Sequence, residues 1–175
     1  FMGHSFGGST ALTAAHRRPH IPLCVVAHEP AVDWMPSDSR QALFLKEQII
    51  GNESGEEKKD NNMKQKGHAQ SIHDVNMLFL YSHEWNGYGW GCIKELKELQ
   101  QIGKLGPANG LSDVGVIDEA FHQEFSDSCS LTPLWLGRAT KATGKRNPLD
   151  TSEEISTRTH SFIESARRSS MSTED

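Results

Sequence analysis

Three short apolar runs alternate with segments of helical periodicity, and this alternation restricts the possible folds more than any other feature of the chain. The runs lie at residues 23–27, 75–81 and 113–117, and they are partly β-branched. Runs this short, bounded by polar or turn-forming residues, predict buried strands. Strands that alternate with helices are typical of an α/β protein whose parallel sheet is covered by helices on both faces. The predicted helices cover residues 9–18, 37–49, 93–102 and 150–168.

The segment before the first predicted helix matches the pattern G-x-S-x-G, which in a nucleophile elbow places a serine on a tight strand-to-helix turn. Gly3 and Gly7 flank Ser5, and glycines there are expected to relieve the clash between turn, strand and helix. Gly8 adds room for close packing. The pattern predicts Ser5 as a nucleophile and the backbone N–H of Phe6 as an oxyanion donor. The alternative is a glycine-rich turn whose serine is inert.

A serine nucleophile needs a histidine base, and that base needs an acid to orient it. In α/β-hydrolases the chain order is serine, then acid, then histidine, with acid and base on loops that follow strands. Of the nine histidines, His122 lies in a loop after the last predicted strand and ahead of a helical stretch, so we expect it to be the base. The others lie in the elbow, in or beside predicted helices, before the candidate acid, near a polar segment, or after a strand that another strand follows: His4, His16, His20, His28, His68, His73, His83 and His160.

Two carboxylates follow the strand at 23–27, and the residues alone leave the choice between them open. Glu29 lies at the end of that strand, whereas Asp33 comes four residues later in the loop. Position favours Glu29 as the triad acid, with Asp33 as the alternative. Either carboxylate could instead cap a turn or the helix that begins near Ser37.

Three strands are too few for a stable sheet covered on both faces, so we expect further strands before Phe1. Residues 1–168 are then the C-terminal part of a single α/β-hydrolase domain, incomplete in this chain. Within it, residues 51–67 are polar and charged and are predicted to be a mobile surface insertion that is dispensable for chemistry. Residues 169–175 are predicted to be a disordered tail.

Three segments resemble the platelet-activating factor acetylhydrolases of the plasma and intracellular type, which are α/β-hydrolase phospholipases. In chain order they read GHSFGGST, CVVAHEPAVDWMP and FHQEFSD. The resemblance covers most of the chain except the polar insertion. It implies Ser5 as nucleophile, His122 as base and the Phe6 N–H as one oxyanion donor, with a second donor in sequence before the elbow. Ungapped counting from Cys24 puts the family's aspartate on Glu29, and a shift of register in the longer turn would move it to Asp33.

The same resemblance implies an activity and its partners. The expected reaction is hydrolysis of short or oxidised sn-2 acyl esters of phospholipids such as platelet-activating factor, without calcium or another cofactor. A peripheral contact with a membrane or a lipoprotein surface is expected with such a substrate. Trp85, Tyr88 and Trp90 lie in a glycine-rich loop and are candidates for that contact. Local packing around the turn is the alternative for these three aromatic residues.

The sequence leaves two other functions open and disfavours nucleic-acid binding and a metal site. The same triad could act on a soluble ester, and a non-catalytic fragment with a hydrolase-derived fold could serve as a binding module. A net charge of −5 and scattered basic pairs give no reason to expect nucleic-acid binding. His83-Glu84 lacks the second histidine of H-E-x-x-H because residue 87 is glycine, so we expect no metal site.

Two further expectations follow from the cysteines and the apolar runs. Cys24, Cys92 and Cys129 are far apart and form no C-x-x-C, which predicts free thiols. No apolar run approaches the roughly 20 residues that span a bilayer, so the chain is predicted to be soluble, either cytoplasmic or secreted.

Overall fold

The computed structural model describes residues 1–44, 71–108, 110–126 and 132–171. The predicted insertion at 51–67, the end of the predicted helix at 45–49 and Cys129 lie outside the described residues. Cys24 and Cys92, which lie inside them, are free thiols as predicted.

Four parallel strands form one sheet within the described ranges, and their spatial order is the order of the sequence. They are β1 (Met2–His4), β2 (Cys24–His28), β3 (Asn76–Ser82) and β4 (Ser112–Ile117). Pairing aligns His4 with His28, His28 with Leu80, and Ser82 with Ile117. The carboxyl ends of all four strands therefore meet along one edge of the sheet.

The sequence predicts three of these strands and misses β1. Its three residues are too few for a periodic pattern, and the glycine within it favours a turn by composition. Hydrogen bonding to the neighbouring strand determines its structure instead, since Met2 pairs with Val26 and Gly3 with Ala27. The elbow thus carries its own strand, as the strand-to-helix turn requires.

Six α-helices lie between and after the strands in the described part of the chain. The predicted helices correspond to α1, α2, α4 and α6, with ends that differ by a few residues. The short helices α3 and α5 escape sequence prediction because one or two turns give little periodicity. The helices are α1 (Phe6–Arg17), α2 (Ser37–Phe44), α3 (His83–Tyr88), α4 (Ile93–Gln101), α5 (Leu134–Ala139) and α6 (Pro148–Met171).

The two faces of the sheet are buried under different helices. Along β3, Met77, Phe79 and Tyr81 face a cluster that includes residues of α1, α2 and α4. Leu78 and Leu80 alternate with them and face a second cluster with residues of α6. This alternation is the period-two pattern of a strand buried on both sides. The predicted architecture, a parallel sheet with helices on both faces, is confirmed.

The last helix continues beyond its predicted end. Ile155 and Ala166 are buried against the sheet, while Phe162 and Ile163 are partly buried beside them. Residues 169–171, predicted as the start of the disordered tail, form the last turn of α6, and residues 172–175 lie outside the described ranges. Among the helices that the structure describes, none has both the length and the apolar character needed to cross a bilayer.

Candidate active site

The candidate site lies at the carboxyl edge of the sheet, where each strand delivers a different side chain. Ser5 directly follows β1, and Glu29 directly follows β2. His122 comes after β4, at the start of a 3-10 turn that spans His122–Phe125. Residues separated by more than one hundred positions in the sequence meet here because the strands are parallel.

Ser5 has the strained backbone of a nucleophile elbow. Its φ of 55° and ψ of −121° are unusual for a residue with a side chain. A Cβ on Gly3 would lie 2.2 Å from the carbonyl carbon of Gly7, so position 3 requires glycine. A Cβ on Gly8 would lie 3.1 Å from the Gly3 oxygen and 3.2 Å from the Cα of Pro30, which confirms the predicted close packing there.

The predicted need for glycine at position 7 is wrong. A Cβ on Gly7 would meet no atom of the described residues within 4 Å, because this exposed residue lies on the open side of the first turn of α1. It is the backbone of Gly7 that approaches Gly3, and a side chain at position 7 would point away from that contact.

Glu29 is the carboxylate that the structure brings to His122. Its side chain is fully buried, and one carboxylate oxygen contacts the His122 Nδ1. The other oxygen accepts a hydrogen bond of 2.8 Å from the Ser82 N–H. Burial alone would raise the pKa of the Glu29 carboxyl, but the bond from His122, the nearby His4 imidazole and the bond from Ser82 outweigh it and lower that pKa. A charged carboxylate therefore faces His122 at neutral pH.

Asp33 lies away from His122, on a 3-10 turn that spans Val32–Trp34. Its carboxylate pairs with the Arg40 guanidinium of α2 at 2.9 Å, and both side chains are about half exposed. This ion pair with a later turn of α2 takes the place of the helix cap that the sequence suggests for Asp33. The chain leaves the sheet at Glu29, so the register counted without a gap from Cys24 is the one that reaches His122.

Three contacts hold the His122 loop and its ring, and sequence reasoning missed all of them. The His122 backbone N–H donates to the Glu84 carboxylate at 3.0 Å. The Trp85 indole stacks on the imidazole with centroids 4.8 Å apart and planes 16° apart. The His4 ring lies 4.8 Å from the same imidazole. Glu84 and Trp85 follow the end of β3, so their position at a strand's carboxyl end was the signal that could have identified them.

The tautomer of His122 follows from its partner. A carboxylate can only accept a hydrogen bond, so Nδ1 carries the proton and Nε2 keeps a lone pair. No hydrogen bond joins the Ser5 hydroxyl to His122 in the described part of the chain; in enzymes without substrate that bond is often long and tightens on binding.

Phe6 begins α1, and the first amides of a helix have no carbonyl partner within it. The Phe6 N–H is thus at the positive end of the helix dipole, where a developing negative charge is stabilised. The Phe6 side chain is 61% exposed and packs edge-on against the exposed Trp34 ring, with centroids 6.0 Å apart. The elbow consequently has an apolar aromatic rim.

The three aromatic residues proposed for an interface divide into two groups. Tyr88 and Trp90 are exposed by 65% and 51%, and their rings stack with centroids 4.8 Å apart. Trp85 is only 8% exposed because it packs against Tyr81 and His122. An interfacial role for Trp85 does not fit this burial, and its contact is with the candidate base.

A cavity of about 1030 Å³ opens beside His122. Its lining includes Glu84, whose carboxylate accepts from the His122 N–H, and Phe121, the residue before His122. The lining carries three basic side chains, Arg138, Lys141 and Lys145, and two acidic ones, Glu84 and Glu119. The residues that matter for its chemistry are Glu84, Tyr88, Phe121, Arg138, Lys141 and Lys145.

The fold also assembles a group of possible metal ligands that has no sequence motif. One ligand atom each from His4, Glu29 and His122 lies within 4.8 Å of the other two. The expectation of no metal site considered spacing along the chain, and these three residues come from three different strand ends. Two imidazoles and one carboxylate are a ligand set that suits zinc.

The parallel sheet, its two layers of helices and the elbow after β1 define an α/β-hydrolase fold. Residues 1–89 match the prolyl oligopeptidase family, which is 89 of the 175 residues. The chain belongs to the prolyl oligopeptidase family, within the α/β-hydrolases of the serine hydrolase type. Among curated proteins, none matches the chain significantly. The matched region includes Ser5 and Glu29 and ends before His122.

Proposed function

We propose that this protein is a calcium-independent serine esterase that removes short or oxidised sn-2 acyl groups from phospholipids such as platelet-activating factor. Ser5 is the nucleophile, His122 the base, Glu29 the orienting acid and the Phe6 N–H an oxyanion donor. The observation that carries the proposal is the contact between the buried Glu29 carboxylate and His122 Nδ1. It lies at the carboxyl edge of the sheet, where the elbow also places Ser5.

The reaction proceeds in two balanced halves. The Ser5 Oγ attacks the ester carbonyl carbon while its proton passes to His122 Nε2, and the Phe6 N–H stabilises the resulting oxyanion. The intermediate then collapses: its C–O bond to the lysophospholipid breaks, the Nε2 proton goes to that leaving oxygen, and the acyl group remains on Ser5. In the second half, a water gives its proton to Nε2 and its oxygen to the acyl carbon. The carboxylic acid leaves, and the proton returns to Ser5.

Surfaces around the elbow support a phospholipid substrate. The exposed Phe6 and Trp34 rings offer apolar contact next to the nucleophile. Tyr88 and Trp90 form a second exposed pair suited to a lipid–water interface. The sequence segments that resemble the platelet-activating factor acetylhydrolases contain Ser5, Glu29 and His122 themselves.

The cavity beside His122 supports the same class of substrate. Arg138, Lys141 and Lys145 line it, and cationic side chains of this kind bind phosphate oxygens. In this proposal, these side chains bind the phosphodiester of the leaving group during hydrolysis.

Peptide hydrolysis is a second candidate, favoured by the match to the prolyl oligopeptidase family. A serine triad attacks esters and amides by the same steps, so loops outside the triad decide between them. The distinction therefore rests on substrate preference.

The test is a substrate panel with the purified full-length protein. It compares 1-alkyl-2-acetyl-glycerophosphocholine, a long-chain diacyl phosphatidylcholine, 4-nitrophenyl acetate and a proline-containing peptide amide. We expect kcat/KM to be highest for the short-acyl phospholipid. Equal rates on the soluble ester would favour a general esterase, and preference for the peptide would favour the second candidate. A protein inert on all four substrates would support a non-catalytic binding module instead.

The cavity is tested with a matched pair of variants. Arg138→Ala should raise KM for the phospholipid several-fold and leave 4-nitrophenyl acetate unaffected, because the soluble ester has no phosphate. Arg167→Ala on the exposed end of α6 serves as the control, since it removes the same charge from a residue that does not line the cavity. Equal effects of the two substitutions would argue against a phosphate site.

A further inference from the structure

The second imidazole in the site, that of His4, has no role in the proposed hydrolysis. Its Nε2 atom is buried and lies 3.7 Å from the Glu29 Oε2, and no group among the residues that the structure describes hydrogen-bonds to it. The ring is held in place, since it stacks on Phe125 with planes 13° apart and lies against His122. A buried nitrogen without a partner is costly, and such a nitrogen in a native fold calls for an explanation.

We propose that His4, Glu29 and His122 form a reversible zinc site, and that bound Zn²⁺ switches the hydrolase off. The His4 Nε2, a Glu29 carboxylate oxygen and the His122 Nδ1 are the three protein ligands. A water takes the fourth position of a tetrahedral site. Binding depends only on these three residues, whereas inhibition rests on the proposed role of His122 as base.

The cluster can hold zinc after small movements of its side chains. Zinc bonds of about 2.0–2.2 Å at tetrahedral angles put neighbouring ligand atoms roughly 3.3 Å apart. The His4–Glu29 separation is 3.7 Å, and all three ligand atoms lie within 4.8 Å of one another. The contact between Glu29 and the His122 Nδ1 is shorter than zinc requires, so the two groups must separate slightly to admit the ion. That separation breaks the hydrogen bond that orients the base.

Zinc also changes which nitrogen of His122 can act. Bound at Nδ1, it takes the lone pair of that nitrogen, so the single proton of the neutral imidazole resides on Nε2. The Nε2 then has no lone pair with which to accept the Ser5 proton. His4 binds through Nε2 and keeps its own proton on Nδ1. No proton is gained or lost by either ring, and removal of the ion restores the original tautomer.

The ligand set selects zinc over the hard divalent cations. Imidazole nitrogens bind zinc well, whereas calcium takes six to eight oxygen ligands and magnesium keeps most of its water. The cluster offers only the oxygens of Glu29, one of which is already occupied by the Ser82 N–H. Calcium and magnesium are therefore expected to have no effect.

Direct calorimetric titration with ZnCl₂ tests the site without any substrate. We expect one zinc ion per chain at this site, and at least about tenfold weaker binding in His4→Phe, because loss of a ligand costs no less than loss of an outer contact. Phenylalanine keeps the stack on Phe125 but offers no nitrogen. His160→Phe, on the exposed face of α6, is the matched control for adventitious zinc on surface histidines. Equal zinc affinity in wild type and His4→Phe would overturn the site.

A second variant shows whether misfolding explains the loss of zinc, and a Co²⁺ spectrum tests the ligand geometry. His4→Gln retains polarity at this position and should lose zinc to the same extent. Co²⁺ bound to the wild type should give the visible absorption of a tetrahedral ion, and an octahedral spectrum would contradict the proposed ligand geometry.

The inhibition arm uses 4-nitrophenyl acetate with and without ZnCl₂, each variant being compared with its own zinc-free rate. The wild type should be inhibited at the zinc concentration that saturates the calorimetric site and recover fully on chelation. Saturation of that site with an unchanged rate would overturn the switch. Zinc binding that depends on His4 in a protein with no hydrolytic activity would support the site and refute the proposed function.

Discussion

Replacement of Glu29 by glutamine separates the two candidate acids because the structure gives them different partners. The buried Glu29 carboxylate accepts from the Ser82 N–H on one oxygen and from the His122 Nδ1 on the other. Glutamine has nearly the same shape but only one acceptor atom. If its oxygen faces Ser82, its NH₂ group faces His122 and forces the imidazole proton onto Nε2. If the amide is reversed, two N–H donors face each other at Ser82.

The size of the effect follows from this tautomer. With its proton on Nε2, His122 cannot accept the proton of Ser5, and a triad in that state loses about ten-thousand-fold in turnover. At about 1.36 kcal/mol for each factor of ten, this is roughly 5.4 kcal/mol of lost transition-state stabilisation. We expect the variant to remain folded, since its volume is unchanged.

Asp33→Asn is the matched control. Its partner Arg40 lies at 2.9 Å, and both side chains are about half exposed. Ion pairs in such settings contribute about 0–1 kcal/mol, because water screens them. We expect a small loss of stability and an unchanged kcat.

The assay combines kcat for 4-nitrophenyl acetate with urea unfolding of each purified variant, so that lost activity can be distinguished from lost structure. Glu29→Gln retaining more than about a tenth of wild-type kcat would refute the argument from the tautomer. A folded but inactive Asp33→Asn would transfer the role of acid to Asp33.

Four further substitutions test the supporting structure and the proposed interface. Gly3→Ala should destabilise the fold by at least about 1–3 kcal/mol, because its Cβ would overlap the Gly7 backbone. Gly7→Ala should be neutral or slightly stabilising. Urea unfolding of the two variants measures this difference in stability. Thr159→Val removes the 3.0 Å hydrogen bond between α6 and the buried His28 ring and should cost about 1–3 kcal/mol in the same assay; an unchanged midpoint would show that this bond contributes nothing. Trp90→Ala should weaken binding to phosphatidylcholine vesicles in a flotation assay with little effect on soluble-ester turnover, and unchanged flotation would remove this residue from the interface.

The sheet could be predicted from the sequence wherever an element buries a long apolar face. The sequence predicts β3 because most of its residues are apolar, and all but the first are buried in the structure. It predicts α4 because Ile93 and Leu96, both buried, lie at helical spacing among charged residues. β1 has only three residues, so no period exists to detect, and its pairing with β2 determines its structure.

The sequence predicts those site residues that can be recognised from their order in the chain and from their position after a strand. His122 and Glu29 follow strands, and parallel strands bring their carboxyl ends together. The burial of Trp85 and the approach of His4 depend on how rings from β1, α3 and the 3-10 turn at 122–125 pack against one another. No spacing along the chain records such contacts, so the sequence left the choice between interface and local packing open for Trp85 and missed the cluster around His4.

Site-resolved labelling with a fluorophosphonate tests the account most directly, because the probe reacts with a serine only when its base is in place. Mass spectrometry should find the phosphonate on Ser5 in the wild type and none in Ser5→Ala, and hydrolysis should disappear with the label. His122→Ala should slow labelling by roughly the same factor as it slows turnover, since triad members act as a unit. Labelling at another serine, or hydrolysis that persists in Ser5→Ala, would contradict the proposed triad.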